Sequence, residues 1–181
     1  LGEASYTNAR GFAQSKLFIS SFCVGFDAAT AQQAQLLPNW LGGMPRYTLA
    51  TLIMLSTLDS YDLRVSIDGQ AIHAGPVLLA SALNSATYGG GMQIAPSAQI
   101  NDGALDLMMA ERMSLLRVLT LLPRMLLGRH LGEPGVIHQC FGEMLIHSQQ
   151  ALPMAADGEY LGEALQAKVR IKPAQLSVLR A

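Results

Sequence analysis

Charge is scarce in this 181-residue chain: 14% of residues are charged, 50% are hydrophobic, and the net charge is −1. Lys and Arg are scattered rather than clustered, which excludes the basic footprint of a nucleic-acid binder. Cysteine is scarcer still. Cys23 and Cys140 stand far apart with no CxxC pairing, so neither a redox nor a metal motif is indicated. Both read as buried, reduced thiols of a cytosolic protein. His73, His130, His138 and His147 lack metal-ligand spacing and read as surface or structural residues. The apolar stretches 49–58 and 115–127 are too short or too interrupted, the second by Pro123, to cross a bilayer as helices. No GxGxxG, GxxxxGK(S/T) or GxSxG segment occurs, which removes the dinucleotide fingerprint, the phosphate loop and the nucleophile elbow. No secretory leader is visible. The chain opens at Leu1 rather than Met, so natural sequence is expected to precede it.

What is present begins with core-building capacity. The length suits one domain, or a large part of a two-domain protein. The apolar excess predicts surface that covers a partner domain or contacts a lipid-like ligand. The run 18–24, ended by Gly25, reads as a buried strand. Strong helix formers over 28–37 stop at Pro38, and 46–58 carries Leu49, Leu52 and Ile53 at helical spacing. Leu63, Val65 and Ile67 then alternate with polar residues, and Asp68-Gly69 turns the chain into a second strand over 71–83. Leu105, Leu107 and Met109 alternate again before a helix over 114–127 with Ser114 as its N-cap. Further strands are expected at 141–147, 152–156, 168–171 and 176–179. The pattern is an α+β domain, predominantly antiparallel β, with two helical insertions. No internal repeat and no low-complexity linker interrupts it.

Three segments draw attention for chemistry. Gly89-Gly90-Gly91, flanked by Tyr88 and Met92, permits a sharp bend or a close backbone approach. Asp157-Gly158-Glu159 sets two carboxylates at i and i+2, where they could face one cleft as base and electrostatic partner. Spacing alone describes an ordinary solvated hairpin turn better. Asp102-Gly103 is equally a turn or a hard-cation site, with one carboxylate, backbone carbonyls and waters around Mg²⁺. The nine methionines read as core filler, or as the lining of a pliable surface for a long acyl chain.

Taken in order, the motifs say more. Val24-Gly25-Phe26-Asp27-Ala28, Tyr88-Gly89-Gly90-Gly91-Met92, Ile94-Ala95-Pro96, Asn101-Asp102-Gly103-Ala104-Leu105-Asp106, Gly128-Arg129-His130, Asp157-Gly158-Glu159 and Ile171-Lys172-Pro173-Ala174 succeed one another along the chain. The series resembles the diacylglycerol kinase-like lipid kinases, a superfamily of bacterial diacylglycerol kinases, sphingosine and ceramide kinases and, more distantly, NAD kinases. The likeness runs from about Phe18 to the C-terminus.

The resemblance implies a two-domain enzyme in which ATP and a lipid hydroxyl meet in the cleft between an N-terminal α/β domain and a C-terminal β-sandwich-like domain. The Gly-Gly-Asp-Gly-Thr nucleotide loop of the first domain is nowhere in this sequence. Residues 1–181 are therefore expected to be the substrate-side C-terminal domain, with 1–17 as an interdomain or edge segment and the chain's own N-terminal ATP-binding domain as partner. Carried over by motif, Glu159 matches the proton acceptor and contacts the nucleotide side, and Asp157 neighbours it as base or Mg²⁺ handler. Asp102 matches the side-chain ligand of a structural Mg²⁺, with the backbone carbonyls of Gln99 and Ala104 as co-ligands, while Gly89, Gly90 and Gly91 shape the substrate side. Asn84-Ser85 departs from the family's Asn-Gly.

The function so implied is transfer of the ATP γ-phosphate to a lipid hydroxyl, diacylglycerol or sphingoid-like, by a cytoplasmic protein in peripheral contact with the membrane and without nucleic acid. The fragment alone is expected to be inactive. A non-catalytic lipid-binding or regulatory module built on the same fold is the competing reading, and a kinase for NAD is the third. Self-association into a homodimer is a further expectation from the apolar surface.

Overall fold

The computed structural model describes residues 1–8, 11–88 and 91–175. Among these, nine strands form one sheet. They are β1 (Gly2–Asn8), β2 (Ala13–Phe18), β3 (Ser21–Gly25), β4 (Tyr61–Ile67), β5 (Gln70–Leu83), β6 (Leu105–Glu111), β7 (Val136–Phe141), β8 (Glu143–Ala156) and β9 (Glu159–Ile171). The order is β2-β1-β9-β8-β3-β5-β6-β7, every pairing being antiparallel, with β4 joined to both β5 and β8. The two 14-residue strands, β5 and β8, carry the architecture. Each pairs with β4 over its first half and with β3 over its second, so the sheet folds across itself as a sandwich.

Alternation along the strands creates two buried faces. Phe22, Val24, Leu105, Leu107 and Met109 point into the main core with Leu63, Val65, Ile67, Met144 and Ile146. The intervening residues point the other way. Cys23 and Ala155 meet Ala28 and Ala31, while Leu79, Leu83 and Met108 pack with Ile94 and Ala95. Helices α1 (Phe26–Leu36) and α2 (Gly43–Thr57), bridged by a 3₁₀ turn at Asn39–Leu41, form one insertion. Helix α3 (Leu115–Leu126) forms the other, and Ser114 Oγ caps it by accepting the Arg117 N–H. The α+β class, the antiparallel dominance and the two helical insertions all appear.

Several boundaries moved. The run 18–24 is two strands, because the chain turns sharply at Ile19-Ser20. The segments 141–147 and 152–156 are joined in one continuous β8, whose register shifts between His147 and Leu152. Phe141 instead ends β7. Cys140 is exposed on β7, the last strand of the sheet, and only Cys23 is buried. Residues 1–17 supply β1 and most of β2, at the opposite end of the sheet. The strand expected at 176–179 lies outside the described residues. No helix among the described residues is long and apolar enough to cross a membrane.

Candidate functional site

Asp157-Gly158 is the two-residue turn between β8 and β9, with φ of 47° and 82°. Two positive φ values match the right-handed twist of the hairpin, and Asp-Gly accommodates them cheaply. Asp68-Gly69 does the same between β4 and β5, at 48° and 81°. In both turns the carboxylate reaches beyond its own hairpin. Asp68 accepts the N–H groups of Gly142 and Glu143. Asp157 accepts three: Ile19 at 2.8 Å, Ser20 at 2.8 Å and Ser21 at 3.0 Å. Those bonds fix the bend that splits 18–24 into two strands. They also occupy most of the oxygen lone pairs of Asp157, which is a positioning role.

Glu159, two residues on, is free of that duty. Its carboxylate is 71% exposed and pairs with Lys16 Nζ of β2 at 2.9 Å. The adjacent carboxylate holds the Lys16 ammonium above its usual range. Tyr47 of α2 donates its hydroxyl to the Gly158 carbonyl at 2.8 Å, tying the turn to the helix above it. The two acids therefore share a location and divide the work.

This turn borders a cavity of about 900 Å³ between the sheet and the helical insertions. Met44, Leu52 and Leu55 of α2 face Val118, Leu121 and Met125 of α3 across it, and Leu79 and Met108 line its sheet side. The lining is overwhelmingly apolar and the volume is that of a sizeable organic ligand. Besides the Asp157-Gly158-Glu159 rim and scattered Ser, Thr and His130 side chains, a buried carboxyl cluster interrupts it. Asp27, at the start of α1, accepts hydroxyl protons from Tyr88 and, at 3.2 Å, from Ser81. Burial raises the Asp27 carboxyl above its usual range, against the opposing pull of those two hydroxyls. The Tyr88 phenol is pushed well up, by burial first and then by Asp27. Asp27 and Tyr88 thus place a compact polar spot on the wall of an apolar chamber, with the fully buried Ser81 hydroxyl as a hydrogen-bond partner.

Tyr88 and Met92 exchange a pair of backbone hydrogen bonds, at 3.2 and 3.1 Å, on either side of the glycine run. Both residues line the cavity, which places the run beside it. Gly91 has φ of 101° and is exposed. Gly89 and Gly90 lie outside the described residues.

The expected metal set is elsewhere, on the connection that leads into β6. Asp102 is exposed, and its Oδ1 accepts the Ala104 N–H at 3.0 Å in a tight turn. Gln99 is exposed and Ala104 half-buried. Among the described residues no three of His, Cys, Asp and Glu gather as a ligand set. A cation here must rely on the Asp102 carboxylate and the carbonyls of Gln99 and Ala104. These all-oxygen donors suit a hard ion such as Mg²⁺, so the residues fit the expected group.

Sequence reading missed three participants. Asp27 stood inside a quoted motif, but its burial beside Tyr88 was not visible there. Lys16 and Tyr47 carried no signal, since each meets the turn only through pairing across more than a hundred residues.

A family model described as "YegS C-terminal NAD kinase beta sandwich-like domain" matches residues 20–180. The diacylglycerol kinase of Mycobacterium tuberculosis is 32% identical over 165 residues, covering 91% of this chain and 52% of that protein. The diacylglycerol kinase of Bacillus subtilis is 25% identical over 120 residues, 66% of this chain and 39% of its own length. The chain spans about half the length of the first of these relatives. Among solved structures, a diacylglycerol kinase from Bacillus anthracis str. Sterne superposes with a TM-score of 0.55 at 15% identity, over 94% of this chain and 50% of the other. Yeast NADH kinase complexed with NADH gives 0.51 at 10% identity, over 94% and 39%. At those identities the structural likeness establishes the fold alone.

Proposed function

Because the chain belongs to the YegS C-terminal NAD kinase beta sandwich-like domain family, we propose that it is the substrate-side half of an ATP-dependent lipid kinase. The carrying observation is the apolar cavity of about 900 Å³ with Glu159 on its border. A chamber so poor in polar groups favours an acyl chain or a similar hydrocarbon. The polar spot of Asp27 and Tyr88 on the cavity wall offers hydrogen bonds to the occupant's polar end. The names of the relatives favour diacylglycerol as the class of substrate.

Glu159 is the base in this reading. It accepts the proton of the lipid hydroxyl as that oxygen bonds to the γ-phosphorus of ATP and the bond to ADP breaks. Asp157 holds the β2–β3 bend against the Glu159 turn, and so sets the geometry of the cleft wall. Lys16 keeps a cation within 2.9 Å of the base. The nucleotide would be gripped by a domain outside this chain, and Mg²⁺ at Asp102, Gln99 and Ala104 would supply local charge balance in the loop before β6.

In the full-length protein, Glu159→Gln should lower phosphoryl transfer to diacylglycerol about 10³-fold with an unchanged melting temperature. Turnover at the wild-type rate would sink the assignment. The cavity by itself also suits a lipid-binding module without catalysis. That reading gains if the unaltered full-length protein binds diacylglycerol yet transfers no phosphate to it.

A further inference from the structure

The Gly128-Arg129-His130 motif has no part in the chemistry so far. Its first two residues close α3. Gly128, with φ of 65°, and Arg129 donate their N–H groups to the carbonyls of Met125 and Arg124 at 3.2 and 2.8 Å, the pairing of a Schellman motif. The chain then delivers His130 to the cavity wall. Expected at the surface or in a structural place, His130 is only 1% exposed.

The two ring nitrogens of His130 differ. Nε2 lies 2.9 Å from the Ile94 carbonyl oxygen, which can only accept, so Nε2 carries the proton. Burial holds the imidazole below its usual range, which leaves the ring neutral at physiological pH. Nδ1 is then a bare lone pair, buried and without a hydrogen-bond partner. Among the described residues, one other atom on the cavity lining is buried and unpartnered, Thr30 Oγ1. The Thr30 hydroxyl can turn its own proton toward an acceptor such as an ester carbonyl. Nδ1 has no proton to offer, and only an O–H or N–H satisfies it. An unpaired acceptor in apolar surroundings is unfavourable, so an occupant that brings a donor to it gains affinity.

Position decides where on the occupant that donor sits. The floor of the cavity crosses four strands: Ala155 of β8 pairs with Cys23 of β3, Cys23 with Ser81 of β5, and Ser81 with Met108 of β6. Three interstrand steps of about 4.8 Å separate β8 from β6 by about 14 Å. Glu159 is on β9, beyond the β8 end of this row. His130 stands at the β6 end, where Ile94 and Met108 share one apolar cluster. We propose that His130 selects lipids whose hydrocarbon tail carries a hydroxyl, received by Nδ1 at the end of the chamber remote from Glu159. The inference rests on the lipid-kinase reading for the direction of the occupant, reacting hydroxyl at Glu159 and tail toward α3. A head-group hydroxyl or amide N–H stays near Glu159 and falls short of Nδ1, so the donor belongs in mid-chain.

The test is a titration of the 181-residue chain with three diacylglycerols in the same non-ionic detergent. They are distearoylglycerol and its analogues with one 12-hydroxystearoyl or one 2-hydroxystearoyl chain. The 12-hydroxy lipid should bind about tenfold more tightly than the plain one, the effect of one hydrogen bond to an otherwise unpaired acceptor. The 2-hydroxy lipid keeps its hydroxyl beside the head group and should bind as the plain one does. His130→Gln retains an N–H for the Ile94 carbonyl but has no ring nitrogen at the place of Nδ1. It should bind all three lipids alike, at the affinity the unaltered chain shows for the plain one. In the unaltered chain, the nitrogen NMR resonance of His130 Nδ1 should move upfield with the 12-hydroxy lipid alone. That measurement needs no variant, so it decides the matter even if His130→Gln does not fold.

Absence of any gain from the 12-hydroxyl overturns the proposal. So does a gain from the 2-hydroxyl in its place, a preference that survives in folded His130→Gln, or an Nδ1 resonance that the 12-hydroxy lipid leaves unmoved. None of these measurements uses ATP. If full-length Glu159→Gln kept its phosphoryl transfer while His130 still chose the 12-hydroxy lipid, the catalytic assignment would fall and the tail selection would stand. If Glu159→Gln lost turnover and no lipid was preferred, the kinase reading would stand and the tail selection would fall.

Discussion

Asp157 and Glu159 lie two residues apart, and substitution should separate them. Asp157→Ala removes the acceptor for three backbone N–H groups and should cost about 2 kcal/mol of stability in chemical denaturation. Asp157→Asn keeps an acceptor oxygen and tolerates the positive φ, so it should cost less and retain turnover in the full-length protein. If Asp157→Asn abolished turnover at full stability, Asp157 rather than Glu159 would be the base. Asp27 carries a pH signature. Burial raises its carboxyl in the folded state, so the folded protein holds a proton that the unfolded chain releases near the ordinary value of 3.8. Stability therefore falls as pH rises from that value through the folded-state pKa. Asp27→Asn cannot ionise, so its melting temperature should gain on the unaltered chain as pH rises from 4 and level off beyond that pKa. A gap that stays constant with pH would mean that Asp27 is ionised in the fold throughout. For Asp102, replacement by Ala should abolish any rise in melting temperature on adding Mg²⁺. A rise that persisted in that variant would place the cation elsewhere.

Among the elements, the join between β3 and α1 leaves no room for a side chain. Gly25 has φ of 84°, and a Cβ there would sit 2.4 Å from the Leu78 carbonyl oxygen on β5. The obstruction is backbone and cannot swing aside. Gly25→Ala should destabilise the chain by about 3 kcal/mol, read from the denaturation midpoint at unchanged slope. Elements whose cause is local could be read from sequence. Leu63, Val65 and Ile67 with Asp68-Gly69 contain their own hairpin instruction, and Ser114 announces α3. Those whose cause is distant could not. The bend at Ile19-Ser20 exists because Asp157 holds it from the other end of the chain. The first part of β9, Glu159 to Ala167, is rich in helix formers such as Glu, Leu, Ala and Gln, yet it is strand because β8 and β1 flank it. The site divided the same way. Its acids stood in recognisable motifs, whereas the cavity arises only where α2, α3 and the sheet meet, which no local pattern records.

For the whole molecule, the outer strands matter most. β1 pairs with β9 from Gly2↔Ile171 to Asn8↔Ala164, and Leu1 accepts the Lys172 N–H. During synthesis β1 emerges well before β9, and it has no partner on that side until β9 has been made. Asp157 likewise cannot fix the Ile19-Ser20 bend until β8 has been made. Closing so long a loop is entropically costly and yields nothing until it closes, which slows folding and leaves apolar strands waiting. A chain ending after Ala156 should therefore fail to fold, and rapid proteolysis of its residues 1–25 would reveal it. Protection equal to that of the intact chain would refute this. Assembly of the Asp157-Gly158-Glu159 turn and completion of β9 are then a single late event, so a nascent or truncated copy presents no part-built site at that turn.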